Sequence, residues 1–259
     1  VAAKPSPVAL VTGASRGIGR RLCIDLAAAG WDVVCAARTT REVGSRLPGT
    51  VDETAAAVEA AGRRAMPVGL DVQDEAAVGA LAERVYGEWG RCDLVVNNAA
   101  VAPPQPALED TVKRWRLAVE VNVNGPFYTS YHFGRRMRDA GEGRIINVSS
   151  LVAVRPEFGR PSYTATKRAL EGLTEALAYE LRGRVAVNCI RIEIPIWTEG
   201  FDATLPADYD TSAFEDPVVM SDATLWMARQ ELSYTGNIVE IGQLRAQGVV
   251  RPFTPARRT

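Results

Sequence analysis

"VALVTGASRGIG" spans residues 8 to 19, and its two halves have opposite characters. The first half is an almost unbroken apolar run, and the second is a glycine-rich turn. An apolar run without polar alternation marks a strand covered on both faces, as in parallel sheets flanked by helices. Gly13, Gly17 and Gly19 follow with G-x-x-x-G-x-G spacing. Glycine permits a tight turn and lets the backbone approach a pyrophosphate. The helix that follows offers unpaired N–H groups and the positive end of its dipole to an anion. The stretch therefore predicts a strand over 7–13, a nucleotide-binding turn and a helix over about 17–29.

The same alternation continues outward. Apolar runs at 32–38, 65–72, 92–100, 144–150, 185–193 and 236–242 read as strands. Helical spacing of apolar residues is found in "GTVDETAAAVEAAG", in "DEAAVGALAERVYGEWG", over about 110–138 and over about 162–181. Alternating strands and helices with right-handed crossovers predict an α/β fold, a doubly wound parallel sheet with helices on both faces. There are no repeats and no low-complexity linker, so residues 1–259 read as a single domain. Ligands of such sheets bind beyond the carboxyl ends of the strands.

Composition narrows the partners. The chain has 259 residues, 47% of them hydrophobic, enough for one large domain with a well-buried core. Thirty basic residues balance thirty-one acidic ones, which gives no electrostatic reason to expect nucleic acid or an anionic membrane. The start does not read as a signal peptide, and no run approaches the roughly 18 apolar residues of a membrane span. Cys23, Cys35, Cys92 and Cys189 are far apart, with no Cys-x-x-Cys pattern, and read as reduced, buried thiols of a cytoplasmic protein. The lone histidine, His132, has no ligand set around it, and no metal site is expected. The basic tail "ARRT" reads as a solvated terminus.

The end of the second strand selects a cofactor. Where a carboxylate there binds ribose hydroxyls, the cofactor is NAD; an arginine instead accommodates a 2′-phosphate. This chain has Ala37 followed by Arg38, with Arg16 in the glycine turn as a second cation. Charge-assisted hydrogen bonds of about 1.5–3 kcal/mol predict a preference for NADP(H) over NAD(H). A solvent-facing Arg38 is the other reading. Asp71, with Val72 beside it, can accept from the adenine amino group or cap a turn.

With "TGASRGIG" at 12–19, "LDV" at 70–72, "NNAA" at 97–100, "VNVNG" at 121–125, "SS" at 149–150 and "YTATK" at 163–167, the chain resembles the short-chain dehydrogenase/reductase family. The likeness runs over nearly all of residues 7 to 242, and loop 39–62 resembles a subgroup that includes hydroxysteroid dehydrogenase-like proteins. The resemblance implies a Rossmann-type fold, a nicotinamide cofactor and catalytic roles for Asn122, Ser150, Tyr163 and Lys167. It carries cofactor contacts onto Gly13, Ser15, Arg16, Gly17, Ile18, Gly19, Arg38, Asp71, Val72, Asn98, Ala99, Ala100, Tyr163 and Lys167. A threonine in the following segment should contact the nicotinamide, and Thr198 is the candidate. It also implies a homodimer or homotetramer, paired through the helices that carry the asparagine and the tyrosine.

Two departures stand out: Ala100 in place of a glycine, and Ile192-Glu193 where the family usually has Pro-Gly.

The physics of the pair fits the resemblance. Residues i and i+4 share a helix face, so Lys167 is expected beside the Tyr163 hydroxyl, lowering a phenol pKa of about 10. Tyr163 then serves as general acid or base, Ser150 orients the substrate oxygen, and Lys167 also holds the nicotinamide ribose. Gly125 and Pro126 are expected to interrupt the helix after Asn122, freeing a carbonyl for a water that links Lys167 to solvent. Asn97 and Asn98 are expected to brace strand ends.

The resemblance also implies that the segment 193–220 is the substrate lid. Seven acidic residues and no lysine or arginine lie between Glu193 and Pro217, interleaved with Trp197, Phe201, Leu205, Tyr209 and Phe214. That composition suits a neutral, fairly apolar carbonyl or alcohol, although acids that simply face water are an open alternative. Arg155 and Arg160 are positioned to recruit an anion. The expected activity is thus an NADP(H)-dependent ketone or aldehyde reductase. An NAD-dependent secondary-alcohol dehydrogenase and a non-catalytic dinucleotide-binding regulator are the alternatives.

Overall fold

The computed structural model describes residues 5–256 apart from 103, 204 and 207; the basic tail Arg257–Thr259 lies outside the described residues. Seven strands form one parallel sheet: β1 (Val8–Thr12), β2 (Asp32–Ala37), β3 (Ala65–Gly69), β4 (Leu94–Asn97), β5 (Arg144–Ser150), β6 (Ala186–Ile192) and β7 (Ile238–Glu240). Their spatial order is β3-β2-β1-β4-β5-β6-β7. The order reverses between β1 and β4, and that switch point opens the crevice in which such sheets bind ligands.

The strand period of two sorts the core into two layers. Ala9 and Val11 of β1 point to one face and Val8 and Leu10 to the other, all fully buried. The first face is covered by α1 (Gly17–Ala28), α2 (Val51–Ala60), α8 (Val218–Ala228) and α9 (Ile241–Ala246), through residues such as Leu22, Val58, Met220 and Leu244. The second is covered by α3 (Glu75–Trp89), α5 (Gly125–Ala140) and α6 (Pro161–Glu180), through Val85, Phe133, Met137 and Ala178. The short helices α4 (Val112–Val119) and α7 (Glu199–Asp202) complete the set.

Local signals explain the boundaries. Helix α2 starts in a capping box, with Thr50 accepting from Glu53 N–H and Glu53 reaching back to Thr50 N–H. Asp74 caps α3 by accepting from Ala77 N–H at 3.0 Å.

Among the differences from the sequence reading, three shape the crevice. Strands β3 and β4 are shorter than expected, because the residues after Gly69 and Asn97 turn into the crevice instead of continuing the ladder. The helix through Asn122 is not interrupted. It widens into one π turn over Glu120–Asn124, where Gly125 N–H donates to the Glu120 carbonyl, and then resumes as α5. Pro126 lacks the N–H that the Asn122 carbonyl would receive in α geometry, and the wider turn absorbs that loss within a continuous helix. Gly125 is required there for space, since a Cβ would sit 2.9 Å from Val72 Cγ2.

Candidate active site

The crevice is built on the turn between β1 and α1. Gly17 has φ +53°, a conformation that side chains disfavour. A Cβ on Gly19 would stand 2.2 Å from the Gly13 carbonyl oxygen, so the turn closes only with glycine at that position. No side chain caps α1, which leaves its first N–H groups for an anion. Opposite, Thr12 joins the ends of β1 and β4. Its hydroxyl accepts from the N–H groups of Asn98 and Ala99 at 3.1 Å each, and Asn98 Nδ2 donates to the Thr12 carbonyl at 2.9 Å. Behind them runs a buried chain: Thr129 donates to Asn97, Asn97 to Asn147 and Asn147 to Thr174. Its polar groups satisfy one another and hold β4, β5, α5 and α6 in register.

A cavity of about 350 Å³ follows this crevice. Gly13, Ser15, Arg16, Gly17, Ile18, Gly19, Arg38, Asp71, Val72, Asn98, Ala99, Ala100 and Thr198 all line it. Leu47, Thr39, Val121 and Gly200 line it too and were missed by sequence reasoning; Val121 opens the "VNVNG" motif but was given no cofactor role, and the others carry no motif and are brought in by the loop after β2 and by segment 193–220. The glycine turn, the uncapped helix end and a cavity running past the end of β2 fit a dinucleotide. Tyr163 and Lys167 lie outside the lining of this cavity.

The two arginines differ. Arg16 is turned into loop 39–50, donating to the carbonyls of Leu47, Pro48 and Gly49 and the hydroxyls of Thr39 and Ser45. Burial lowers its pKa, Glu199 opposes that, and Arg38 adds to it. Arg38 is exposed at the mouth of the cavity and makes no hydrogen bond or ion pair among the described residues. Asp71 accepts from the backbone and side chain of Gln73 at 3.0–3.1 Å. It therefore shapes its own turn while lining the cavity.

The second cluster lies at the carboxyl end of β5. Ser150 ends that strand, and its side chain lies beside the Tyr163 phenol. Lys167, one turn further along α6, is buried. Its Nζ lies 5.5 Å from the Tyr163 ring centroid and donates to the Val148 carbonyl at 2.6 Å. The pair thus shares a helix face, but among the described residues no hydrogen bond joins the ammonium to the hydroxyl. A buried ammonium needs a hydrogen-bond acceptor, and the nearby strand carbonyl supplies it. Burial pushes the phenol up from its ordinary value, against the Ser150 side chain and the Arg160 charge. This direction is opposite to the expected one. Burial lowers Lys167 to about 8, while Cys189 and Glu171 act against that shift. Asn122, fully buried, donates to the Val101 carbonyl and to Thr166 Oγ1 and accepts from Val101 N–H. Its side chain ties the π turn to α6 one residue before Lys167.

The lid explains the Ile192-Glu193 departure. The Glu193 carboxylate accepts from the N–H groups of Ile241 and Gly242, capping α9 instead of facing the crevice. Glu215 is buried and held bidentately by Arg245 at 2.6 and 3.1 Å. Asp216 pairs with Arg21 at 3.1 Å and caps Val218 N–H. Glu215 is buried and Glu193 and Asp216 are partly exposed, and these three anchor the segment, whereas Asp208 and Asp210 are exposed to water. Thr198 caps α7 and rests against the glycine turn, its Cγ2 2.9 Å from where a Cβ on Gly17 would be. Phe214 packs against Phe201 and Tyr209 with ring centroids 5.3 and 6.2 Å apart. Arg160 donates to the Ala102 carbonyl, and His132 pairs with Glu75 at 2.5 Å on the surface between α5 and α3. All four cysteines are free and buried, and no helix among the described residues is long and apolar enough to cross a membrane.

A parallel sheet with this strand order, a glycine turn at its switch point and a Ser-Tyr-Lys cluster at the end of β5 define a class, and the comparisons agree. The model of the short chain dehydrogenase family matches residues 7–196. This chain belongs to the short-chain dehydrogenase/reductase family. It is 30% identical over 231 residues to hydroxysteroid dehydrogenase-like protein 2 of Xenopus laevis, covering 88% of this chain and 55% of that protein. The chain thus spans about half the length of that relative. It is 39% identical over 191 residues to the short-chain reductase protein NovJ of Streptomyces niveus, covering 73% of this chain and 70% of that protein. Among solved structures, a metagenomic short-chain oxidoreductase in complex with NADP superposes with a TM-score of 0.76 at 30% identity, covering 91% and 96% of the two chains. A short chain dehydrogenase of Mycobacterium thermoresistibile gives 0.85 at 26% identity, covering 94% and 88%.

Proposed function

We propose that this chain is an NADP(H)-dependent reductase or dehydrogenase that interconverts a ketone or aldehyde and an alcohol on a neutral, fairly apolar small molecule. The carrying observation is the gathering of Ser150, Tyr163 and Lys167 at the carboxyl end of β5, with the Lys167 ammonium over the phenol ring. A bound nicotinamide dinucleotide supplies or accepts the hydride. Tyr163 donates its proton to the carbonyl oxygen in reduction and takes it back in oxidation, and Ser150 orients that oxygen. A phenol raised by burial stays protonated at neutral pH, the form that reduction requires. Lys167 then stabilises the phenolate left behind. Asn122 holds the helix that presents both residues.

The glycine turn would hold the pyrophosphate, and Arg38 the 2′-phosphate, because Arg16 is already committed to loop 39–50. The NADP complex of the metagenomic relative supports the same choice. The aromatic contacts of the lid favour an apolar substrate. Trp115, Phe127 and Tyr179 are exposed on α4, α5 and α6, which supports a homodimer or homotetramer paired through those helices.

The test is NADPH oxidation against a panel of ketones and aldehydes, with Tyr163→Phe as control. Turnover that survives in Tyr163→Phe, or tight NADPH binding with no turnover of any carbonyl, would overturn the reading.

A further inference from the structure

One buried group of charges lies outside the mechanism above. Glu171 follows Lys167 by one helical turn and is 2% exposed. Its carboxylate accepts from Ser149 Oγ at 2.8 Å and from the Arg191 guanidinium through two bonds of 2.9 Å. Arg191 in turn donates to Glu240 at 3.1 Å. Ser149, Arg191 and Glu240 are register partners across β5, β6 and β7, so the three form a polar row at the carboxyl edge of the sheet. The row grips α6 at one point, Glu171. Ser149 is the neighbour of Ser150, and Glu171 sits on the same stripe of α6 as Tyr163 and Lys167. The grip therefore fixes the rotation of α6 against the strand that carries Ser150.

We propose that Glu171 is a positioning residue for the reaction: clamped by Ser149 and Arg191, its carboxylate keeps Lys167 protonated and α6 in register with Ser150. This rests on the proposed role of Lys167. The groups that face Lys167 are Tyr163 and Glu171 on α6, the Val148 carbonyl on β5 and the Cys189 thiol on β6. Glu171 is the carboxylate among them. A carboxylate near an ammonium favours its charged form through space, and the raising effect of Glu171 on Lys167 has that direction. Removing the negative charge moves the loss of the Lys167 proton to lower pH.

The chain has three lysines, Lys4, Lys113 and Lys167, so Lys167 can be titrated directly by NMR in lysine-labelled protein. In Glu171→Gln its midpoint should fall by about half a unit or more. The alkaline limb of kcat/KM should move down in parallel, with KM for the carbonyl within about two-fold. Glu171→Asp should restore most of both. Arg191 retains Glu240 in the single variant. If Glu171→Gln nevertheless fails to fold, the double variant Glu171→Gln/Arg191→Gln removes the pair without an unmatched charge and is read in the same way. An unchanged Lys167 midpoint, or a loss of activity with an unshifted pH profile, overturns the proposal. If the wild-type chain turns over no carbonyl, the functional reading falls, and the Lys167 titration still decides whether Glu171 sets its charge.

Discussion

The glycine turn and the lid meet at Gly17 and Thr198, yet they are shaped by opposite means. The turn owes its form to side chains that are missing: a single Cβ at Gly19 would strike the Gly13 carbonyl. The lid is held by side chains that reach far along the sequence, Glu193 to the start of α9, Glu215 to Arg245 and Asp216 to Arg21. The turn is a local solution that tolerates almost no substitution. The lid is a set of remote attachments, each of which can be cut separately. The two segments therefore rest on separable determinants.

Four experiments break or sharpen this contrast. The largest effect is expected at the chemistry both segments enclose. Tyr163→Phe should lower kcat by about 10²–10⁴-fold with NADPH affinity nearly intact, as read by steady-state kinetics and fluorescence titration. Next is the strongest lid attachment. Arg245→Met leaves the buried Glu215 carboxylate without its partner and should destabilise the fold by about 2–3 kcal/mol, below the 3–5 typical of a fully buried pair because Arg245 is partly exposed. Thermal unfolding measures this, and the melting point should recover in part when Glu215→Gln is added. On the turn side, Arg38→Ala should weaken NADPH binding by about ten- to a hundredfold and leave NADH binding unchanged. An equal loss for both cofactors would assign Arg38 to the fold instead.

The last test concerns pH. The Lys167 pKa is about 8 in the folded chain against 10.5 as its ordinary value. Between those values the unfolded chain binds more protons, so folding stability rises with pH through that window. Below about pH 8 the cost of burying the ammonium is fully present. Denaturation of the wild type and of Lys167→Met, compared from pH 7 to 10, should show the wild type gaining relative stability as pH rises.

The turn was legible in the sequence because its determinants are neighbours: three glycines, a preceding apolar strand and a following helix. The Tyr163–Lys167 pair was legible for the same reason, being one helical turn apart. The direction of the tyrosine shift was not. It depends on how deeply α6 is packed and on the Val148 carbonyl that takes the ammonium, and neither is written in the spacing. Helix α8 was not assigned either. Val218, Val219, Met220, Ala223 and Met227 are all buried, so the segment is apolar around its circumference and shows no amphipathic period. The roles of Glu193 and Glu215 were hidden because their partners lie 48 and 30 residues away. A run of acids reads alike whether it faces water or caps a distant helix.

Arg16 makes the segment after β2 a keyed cassette. One guanidinium serves five acceptors spread over Thr39 to Gly49, so the length and path of that segment are matched to a residue on the other side of the crevice. A redesign that exchanges the segment to alter which nucleotide is accepted must exchange residue 16 with it. Left behind, the arginine would lose its five acceptors beside the crevice, and the graft would carry an unmatched cation unrelated to its own sequence.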